Sequence, residues 1–209
     1  MGGFTFREML LNSWPIISVL VLMSIISLTV ILDRFAVLRR ARLNAAALAA
    51  NLGKILKSHG AAAALEYCQR FSQPAARVMA AVIIRGGRRE DKERAGQNAL
   101  QAEVNRLEAY VPILGTIGST APFVGLLGTV MGIIKAFQDI AANSGAGPEI
   151  VSAGIAEALI TTAFGLLVAI PAVMFFNYCV NKIQRLTQEI DVAVYDVIEN
   201  LSAETGNPQ

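Results

Sequence analysis

The chain has 209 residues, of which 54% are hydrophobic and 16% are charged, and its mean hydropathy is +0.51. Soluble domains carry about 25% charged residues, so this composition argues against an ordinary soluble protein. The net charge of +2 does not indicate nucleic-acid binding, because the basic residues lie next to apolar segments, where they report membrane topology.

Most of the apolar excess lies in three windows that contain no Asp, Glu, Lys, Arg or His: 10–32, 111–134 and 158–181. Each is long enough to cross about 30 Å of hydrocarbon as an α-helix. Buried core helices are the alternative, but a soluble protein seldom contains three of this length. We therefore predict an all-α membrane protein with three transmembrane helices.

The first window lies near Met1, so a cleaved signal peptide is also considered. No A-x-A-like cleavage site follows it, and the window ends at Asp33 and Arg34, with further arginines at 39, 40 and 42. This pattern favours a retained signal anchor. Because the first span is built from bulky, branched residues, we expect it to face lipid.

The distribution of basic residues predicts the orientation. Residues 33–110 carry 14 of the 18 Lys and Arg residues, whereas 141–149 carries none. Since cytoplasmic loops are enriched in Lys and Arg, residues 33–110 are expected in the cytoplasm. The predicted order is a periplasmic segment 1–9, a span 10–32, a cytoplasmic region 33–110, a span 111–140, a periplasmic turn 141–149, a span 150–181 and a cytoplasmic tail 182–209.

The cytoplasmic region has helical patterns. Residues 41–57 are rich in Ala, which favours helix, and apolar residues recur at helical spacing from Ala95 to Val111. Gly86 and Gly87 predict a turn. Cys68 and Cys179 are too few and too far apart for a disulfide framework, and we expect two inert thiols.

An apolar stripe follows the third span: Ile183, Leu186, Ile190, Val194, Val197 and Leu201. Steps of three and four predict an amphipathic helix that extends the span into the cytoplasm. This stripe needs a partner, which is either the helix predicted at residues 92–110 or a neighbouring subunit.

Small residues are patterned along the second and third spans. Steps of four and three place each set on one face of its helix: Gly118, Pro122, Gly125, Thr129 and Gly132 in the second span, and Ala158, Thr162, Gly165, Ala169 and Ala172 in the third. Small faces allow membrane helices to approach closely, which predicts a tight helix pair.

Polar residues stand out against this apolar background: Thr129, Glu157, Thr161 and Thr162. Glu157 is predicted about two turns inside the third span, where an ionisable group is a functional candidate. The alternatives are that Glu157 reaches periplasmic water or pairs with Lys135. Thr161 lies one turn after Glu157, whereas Thr162 lies about 140° round the helix from it, so the two threonines are expected to face different surroundings.

Enzyme chemistry has no support in the sequence. There is no metal-ligand cluster, no Ser/His/Asp arrangement and no phosphate-binding glycine loop, and His59 is the only histidine. We predict no catalytic residues, no cofactor and no bound metal.

Two strings resemble the MotA/TolQ/ExbB proton-channel family, in particular its ExbB/TolQ branch. Residues 114–133, LGTIGSTAPFVGLLGTVMGI, resemble the second span of that branch, and residues 154–166, GIAEALITTAFGL, with AIPA at 169–172, resemble its third. The two strings cover about 40 residues and occur in the expected order. Thr161 departs from the pattern, which has a small residue such as Ala at this position.

This resemblance implies a multi-pass protein of the bacterial inner membrane that forms a homopentameric ring. The ring would surround the single membrane helices of two copies of an ExbD/TolR-like partner, and proton flow would drive work on a TonB- or TolA-type load. By motif position, Thr129 and Thr162 would be polar pore residues and Glu157 the acid of the third span. The small faces would then line an apolar lumen.

Two other functions compete with this interpretation. A structural scaffold would use Glu157 and the threonines only for packing, without ion conduction of its own. A self-sufficient transporter is the second, but three spans without a pair of broken helices offer little for substrate recognition.

Overall fold

The computed structural model describes residues 14–142 and 148–204, and the regular structure of these residues is α-helical. Six helices follow one another along the chain: α1 Trp14–Arg40, α2 Ala45–Gln69, α3 Pro74–Arg85, α4 Arg89–Glu108, α5 Val111–Ala142 and α6 Pro148–Glu204. Segments 1–9 and 205–209, and most of the turn predicted at 141–149, lie outside the described residues.

Three helical segments, which contain α1, α5 and most of α6, are long and apolar enough to cross a membrane. Only 11%, 28% and 22% of their most apolar windows are buried within the chain. Most of this apolar surface is therefore available to lipid or to other proteins. The third span and the predicted amphipathic helix form one continuous helix of 57 residues.

The chain divides into two compact units. The first, called the membrane unit, contains the described residues of 1–33 and 110–178, and the second unit contains those of 34–109 and 179–209. Helices α1 and α6 contribute residues to both.

Helices α5 and α6 of the membrane unit touch backbone to backbone. A Cβ atom added at Gly125 would lie 2.8 Å from Thr161 O, and one added at Gly165 would lie 2.7 Å from Ala121 O. A Cβ atom added at Gly118 would similarly contact Val173, and one added at Gly132 would contact Ala158. The two small faces thus pack against each other within a single chain.

Helix α1 packs one narrow face in the membrane unit and exposes the rest. Leu20 is 1% exposed and joins a cluster with Ile117 and Ala169, and Ser27 is also buried. In contrast, Leu22 and Leu32 are 58% and 62% exposed. The exposed majority agrees with the lipid-facing position expected for this span.

In the second unit, the apolar stripe of α6 packs against other helices of the same chain. The buried cluster joins Ile190, Val194 and Val197 to residues of α2 and α3, such as Leu52 and Met79. The helix that sequence analysis considered, now α4, contributes less: its Gly96 lies against Val194, and Ala99 and Leu100 pack at the edge. The long stripe needs more apolar area than the polar α4 offers, and α2 and α3 supply it.

Local backbone geometry determines where these helices of the second unit begin and end. Helix α2 begins at Ala45, where Asn44 Oδ1 accepts a hydrogen bond from Ala47 N at 2.9 Å, so the predicted helical stretch starts later than residue 41. Gly86 and Gly87 have φ of 58° and 75° and form the predicted turn between α3 and α4, since glycine adopts positive φ without strain.

Arg34 and Glu103 fix α4 through buried polar contacts. Arg34 Nη1 donates to Arg106 O at 3.2 Å, which satisfies a carbonyl at the end of the helix. Glu103 accepts from Arg77 Nε at 2.9 Å and from Arg106 Nη1 at 2.8 Å. The sequence indicated only the topological role of Arg34 and gave no sign of this network. Burial raises the pKa of Cys68 in the same unit to about 11, which agrees with the inert thiol that was expected.

The backbone contact at Gly125 generates a first prediction. In Gly125→Ala the added methyl group would lie 3.0 Å from Thr162 Cα, so the helices must separate, and we expect a loss of about 1–3 kcal/mol. The measurement is the unfolding free energy in detergent. Ala163→Val is the matched control, because it adds bulk at an exposed position of α6. Equal stability of the two variants would contradict the close contact.

A second prediction concerns Glu103, whose side chain is 7% exposed. Glu103→Ala removes three charge-assisted hydrogen bonds, two from Arg77 and one from Arg106, and should lower the unfolding free energy by about 1–3 kcal/mol. Glu66→Ala is the control, because Glu66 pairs with Arg70 at the surface with 72% of its side chain exposed, and we expect a loss below about 1 kcal/mol. Denaturant unfolding of both variants measures the difference, and a Glu103 loss no larger than the Glu66 loss would refute the role of the network.

Candidate functional site

Three threonines meet where α5 and α6 are closest. Thr129 is on α5, and Thr161 and Thr162 are consecutive residues of α6. Gly125 and Gly165 have no side chains to hold the helices apart, so hydroxyl groups on one helix reach backbone carbonyls on the other.

The hydroxyl groups of Thr129 and Thr162 are in direct hydrogen-bond contact. Thr129 Oγ1 also lies 3.2 Å from Ala158 O and 3.3 Å from Gly125 O, and Thr162 Oγ1 lies 3.3 Å from Gly125 O. Both side chains are half-buried in the single chain. A pair of hydroxyls that each donate and accept can pass a proton between them without carrying a fixed charge.

Thr161 is completely buried. Its Oγ1 lies 2.7 Å from Ala158 O and 3.2 Å from Gly125 O, and it packs over Gly128, where an added Cβ would lie 2.5 Å from the hydroxyl oxygen. Thr161 is fully buried and Thr162 is half-buried, so their surroundings differ as expected, but both hydroxyl groups contact the same acceptor, Gly125 O. Because α5 lies so close to α6, two consecutive α6 side chains that point 100° apart can both contact it, one on each side of its axis.

Glu157 is half-buried on α6, one turn before Thr161. It lies nine residues after Pro148, about 14 Å along the helix axis. Lys135, which was considered as its partner, is exposed on α5.

The remaining small residues lie along the same α5–α6 contact or at its edge. Six are buried and two are half-buried: Gly118, Gly125, Ala158, Gly165, Ala169 and Ala172 in the first group, and Pro122 and Gly132 in the second. Sequence reasoning missed Gly128 and the carbonyls of Gly125 and Ala158. Gly128 could have been found from the sequence, because it directly precedes Thr129. A sequence does not indicate which backbone carbonyl groups accept hydrogen bonds.

The part of the chain that the structure describes contains no candidate metal-binding site. Among residues 14–142 and 148–204, no group of three or more His, Cys, Asp or Glu side chains could hold a metal ion. The site consists of hydroxyl groups, backbone carbonyls and one carboxyl group.

Comparison with known proteins shows the same relationship as the motifs. Residues 66–192 match the model of the MotA/TolQ/ExbB proton channel family. The Tol-Pal system protein TolQ of Pseudomonas aeruginosa is 50% identical over 88 residues, which cover 42% of this chain and 38% of that protein. The biopolymer transport protein ExbB of Xanthomonas campestris pv. campestris is 42% identical over 110 residues, 53% of this chain and 44% of that protein.

A third relative, TolQ of Haemophilus influenzae, is 44% identical over 96 residues, 46% of this chain and 42% of that protein. The matched segments thus span less than half the length of these relatives. The family model covers more than half of this chain and includes α5, the three threonines and Glu157. The chain therefore belongs to the MotA/TolQ/ExbB proton channel family.

Proposed function

We propose that this chain is the proton-conducting, stator-like subunit of a motor in the bacterial inner membrane. The observation that carries the proposal is the joined hydroxyl pair of Thr129 and Thr162, held between two apolar helices, and Glu157 lies one turn before Thr161 on α6. Ionisable side chains at membrane depth are rare and mark ion pathways, and Glu157 is such a side chain. In this proposal Glu157 exchanges protons with the periplasmic side, and the hydroxyl pair carries them onward.

Assembly forms the second part of the proposal. Five copies form a ring around two copies of an ExbD/TolR-like single-span protein, which supplies the aspartate that this chain does not provide. The support is the large exposed apolar surface of α5 and α6, for example Phe123 at 69% and Met174 at 69%. Such surface is available for neighbouring copies, a central helix and lipid.

The proposed orientation places the N-terminus in the periplasm and residues 33–110 and 182–209 in the cytoplasm, as the distribution of Lys and Arg favours. Movement of the ring relative to its partner then does work on a TonB- or TolA-type load for envelope transport, or in a related process such as motility.

A structural scaffold without conduction is the second candidate. It is favoured by one observation: every hydroxyl of the three-threonine cluster has a backbone carbonyl within reach, as pure packing requires. Proton flux through the purified complex separates the two functions.

The proposal predicts the effect of Thr162→Val, which removes the hydroxyl while keeping nearly the same shape. We expect proton flux to fall at least about tenfold, because the donor and acceptor of the pair are lost, while the oligomer stays intact. The complex is purified through a tag on this chain together with its native partners and reconstituted in vesicles. A potassium diffusion potential then drives protons, and a trapped pH-sensitive dye reports the flux.

Thr116→Val is the matched control. Thr116 is an exposed residue of the same helix as Thr129, and its hydroxyl bonds only to Pro112 O at 3.1 Å, so its removal should leave flux unchanged. Full flux in Thr162→Val, or no flux in the wild-type complex, would favour the scaffold instead.

A further inference from the structure

We infer that Thr161 is a positioning residue that sets the direction in which the Thr129–Thr162 hydroxyl pair donates its hydrogen bonds. This inference rests on the proposed function, because it assigns a role within the same proton path. Thr161 is 0% exposed, so it acts through the other two threonines rather than through water.

A count of donors and acceptors defines the network. Gly125 O and Ala158 O each accept the helical N–H four residues later, from Thr129 and Thr162 respectively, which leaves one lone pair on each carbonyl. Three hydroxyl hydrogens compete for these two positions. The third hydrogen must therefore go to another hydroxyl, and the Thr129–Thr162 contact is where it goes.

In one arrangement Thr161 donates to Ala158 O, its shorter contact at 2.7 Å. Only Gly125 O then remains for the pair, and both Thr129 and Thr162 lie 3.3 Å from it. Either member of the pair can donate to this carbonyl while it accepts from the other. The pair can thus point in both directions.

In the other arrangement Thr161 turns to Gly125 O at 3.2 Å. Ala158 O is then the free carbonyl, and Thr129 reaches it at 3.2 Å. Thr129 donates there and accepts from Thr162, so the pair points in one direction only. A rotation of the Thr161 hydroxyl therefore switches the pair between a reversible and a fixed state.

The switch matters because a hydroxyl relay reverses each time a proton passes. In the proposed path Glu157 supplies a proton to the oxygen of one threonine, the hydrogen of that hydroxyl moves to the oxygen of the other threonine, and the second hydroxyl releases its own hydrogen to the carboxylate of the partner's aspartate. Both threonines are then neutral, and the bond between them points the opposite way. The next proton needs the original direction. Thr161 restores this direction when its hydroxyl turns from Ala158 O to Gly125 O, because Ala158 O is then free to accept from Thr129.

Thr161 occupies the position where the family pattern has a small residue, so conduction itself does not require it. We expect a change in rate rather than an all-or-none effect. Without the hydroxyl group of Thr161, Thr129 can donate to Ala158 O while Thr162 donates to Gly125 O. Neither threonine then needs the other as an acceptor. The obligatory bond of the pair is then lost.

The test measures proton flux in Thr161→Val and Thr161→Ala, in the native complex reconstituted as above. Flux should fall roughly two- to tenfold, the range expected for one hydrogen bond, and Thr161→Ser should restore it. Val and Ala differ in volume but both lack the hydroxyl group. A loss of flux that occurs in both variants and is reversed by Ser is therefore caused by removal of the hydroxyl group. Thr116→Val again serves as the control in the membrane.

A double-mutant cycle tests the network without using flux. Thr161 and Thr129 share no direct bond but donate to the same two carbonyls. The shifts in melting temperature of Thr161→Val and Thr129→Val should therefore be non-additive, whereas Thr161→Val and Thr116→Val should add.

The outcomes separate the inference from the proposed function. If Thr162→Val blocks flux while Thr161→Val and Thr161→Ala conduct like wild type, the role of Thr161 is refuted and the proton path stands. Additive shifts for Thr161 and Thr129, or failure of Thr161→Ser to restore flux, also refute it. If the wild-type complex conducts no protons, the proposed function fails, and the role of Thr161 fails with it.

Discussion

The contact between the backbones of α5 and α6 at Gly125 and Gly165 is the constraint on which the membrane unit depends. Apolar side chains gain little by leaving lipid for protein, so close packing must hold these helices together. The same closeness brings threonine hydroxyls within 3.3 Å of carbonyls on the facing helix. One geometric condition therefore produces both the stability of the pair and its polar cluster.

The second unit is held together differently. It buries large side chains such as Leu52, Met79 and Val197, and burial of apolar area of this kind contributes stability through the hydrophobic effect. Charged residues can then fix the arrangement, as Glu103 does between Arg77 and Arg106. The single helix α6 carries both patterns in turn, with small residues up to Ala172 and a bulky stripe after Cys179.

The sequence predicted what depends on local pattern. Hydropathy identified the three spans, the steps of three and four identified the small faces and the stripe of α6, and the paired glycines identified the α3–α4 turn. It could not predict which surfaces meet, because that depends on the distance between helices. The partners of the stripe in α2 and α3, the Arg34 contact with Arg106 O, and the shared acceptor of Thr161 and Thr162 are all products of tertiary approach.

The chemistry of the cluster explains why the proposed motor needs a partner. A neutral hydroxyl that finds a carbonyl is inexpensive in a membrane, whereas a charged side chain at the centre of a span costs about 2.5–3.5 kcal/mol or more. This chain places three hydroxyls at the α5–α6 contact, and the carboxyl group of Glu157 lies one turn before Thr161. Hydroxyls relay protons but do not store them, since they return to neutrality after each transfer. A motor must hold the proton while the subunits move, so in the proposed assembly the group that is loaded and unloaded belongs to the helix that the ring surrounds.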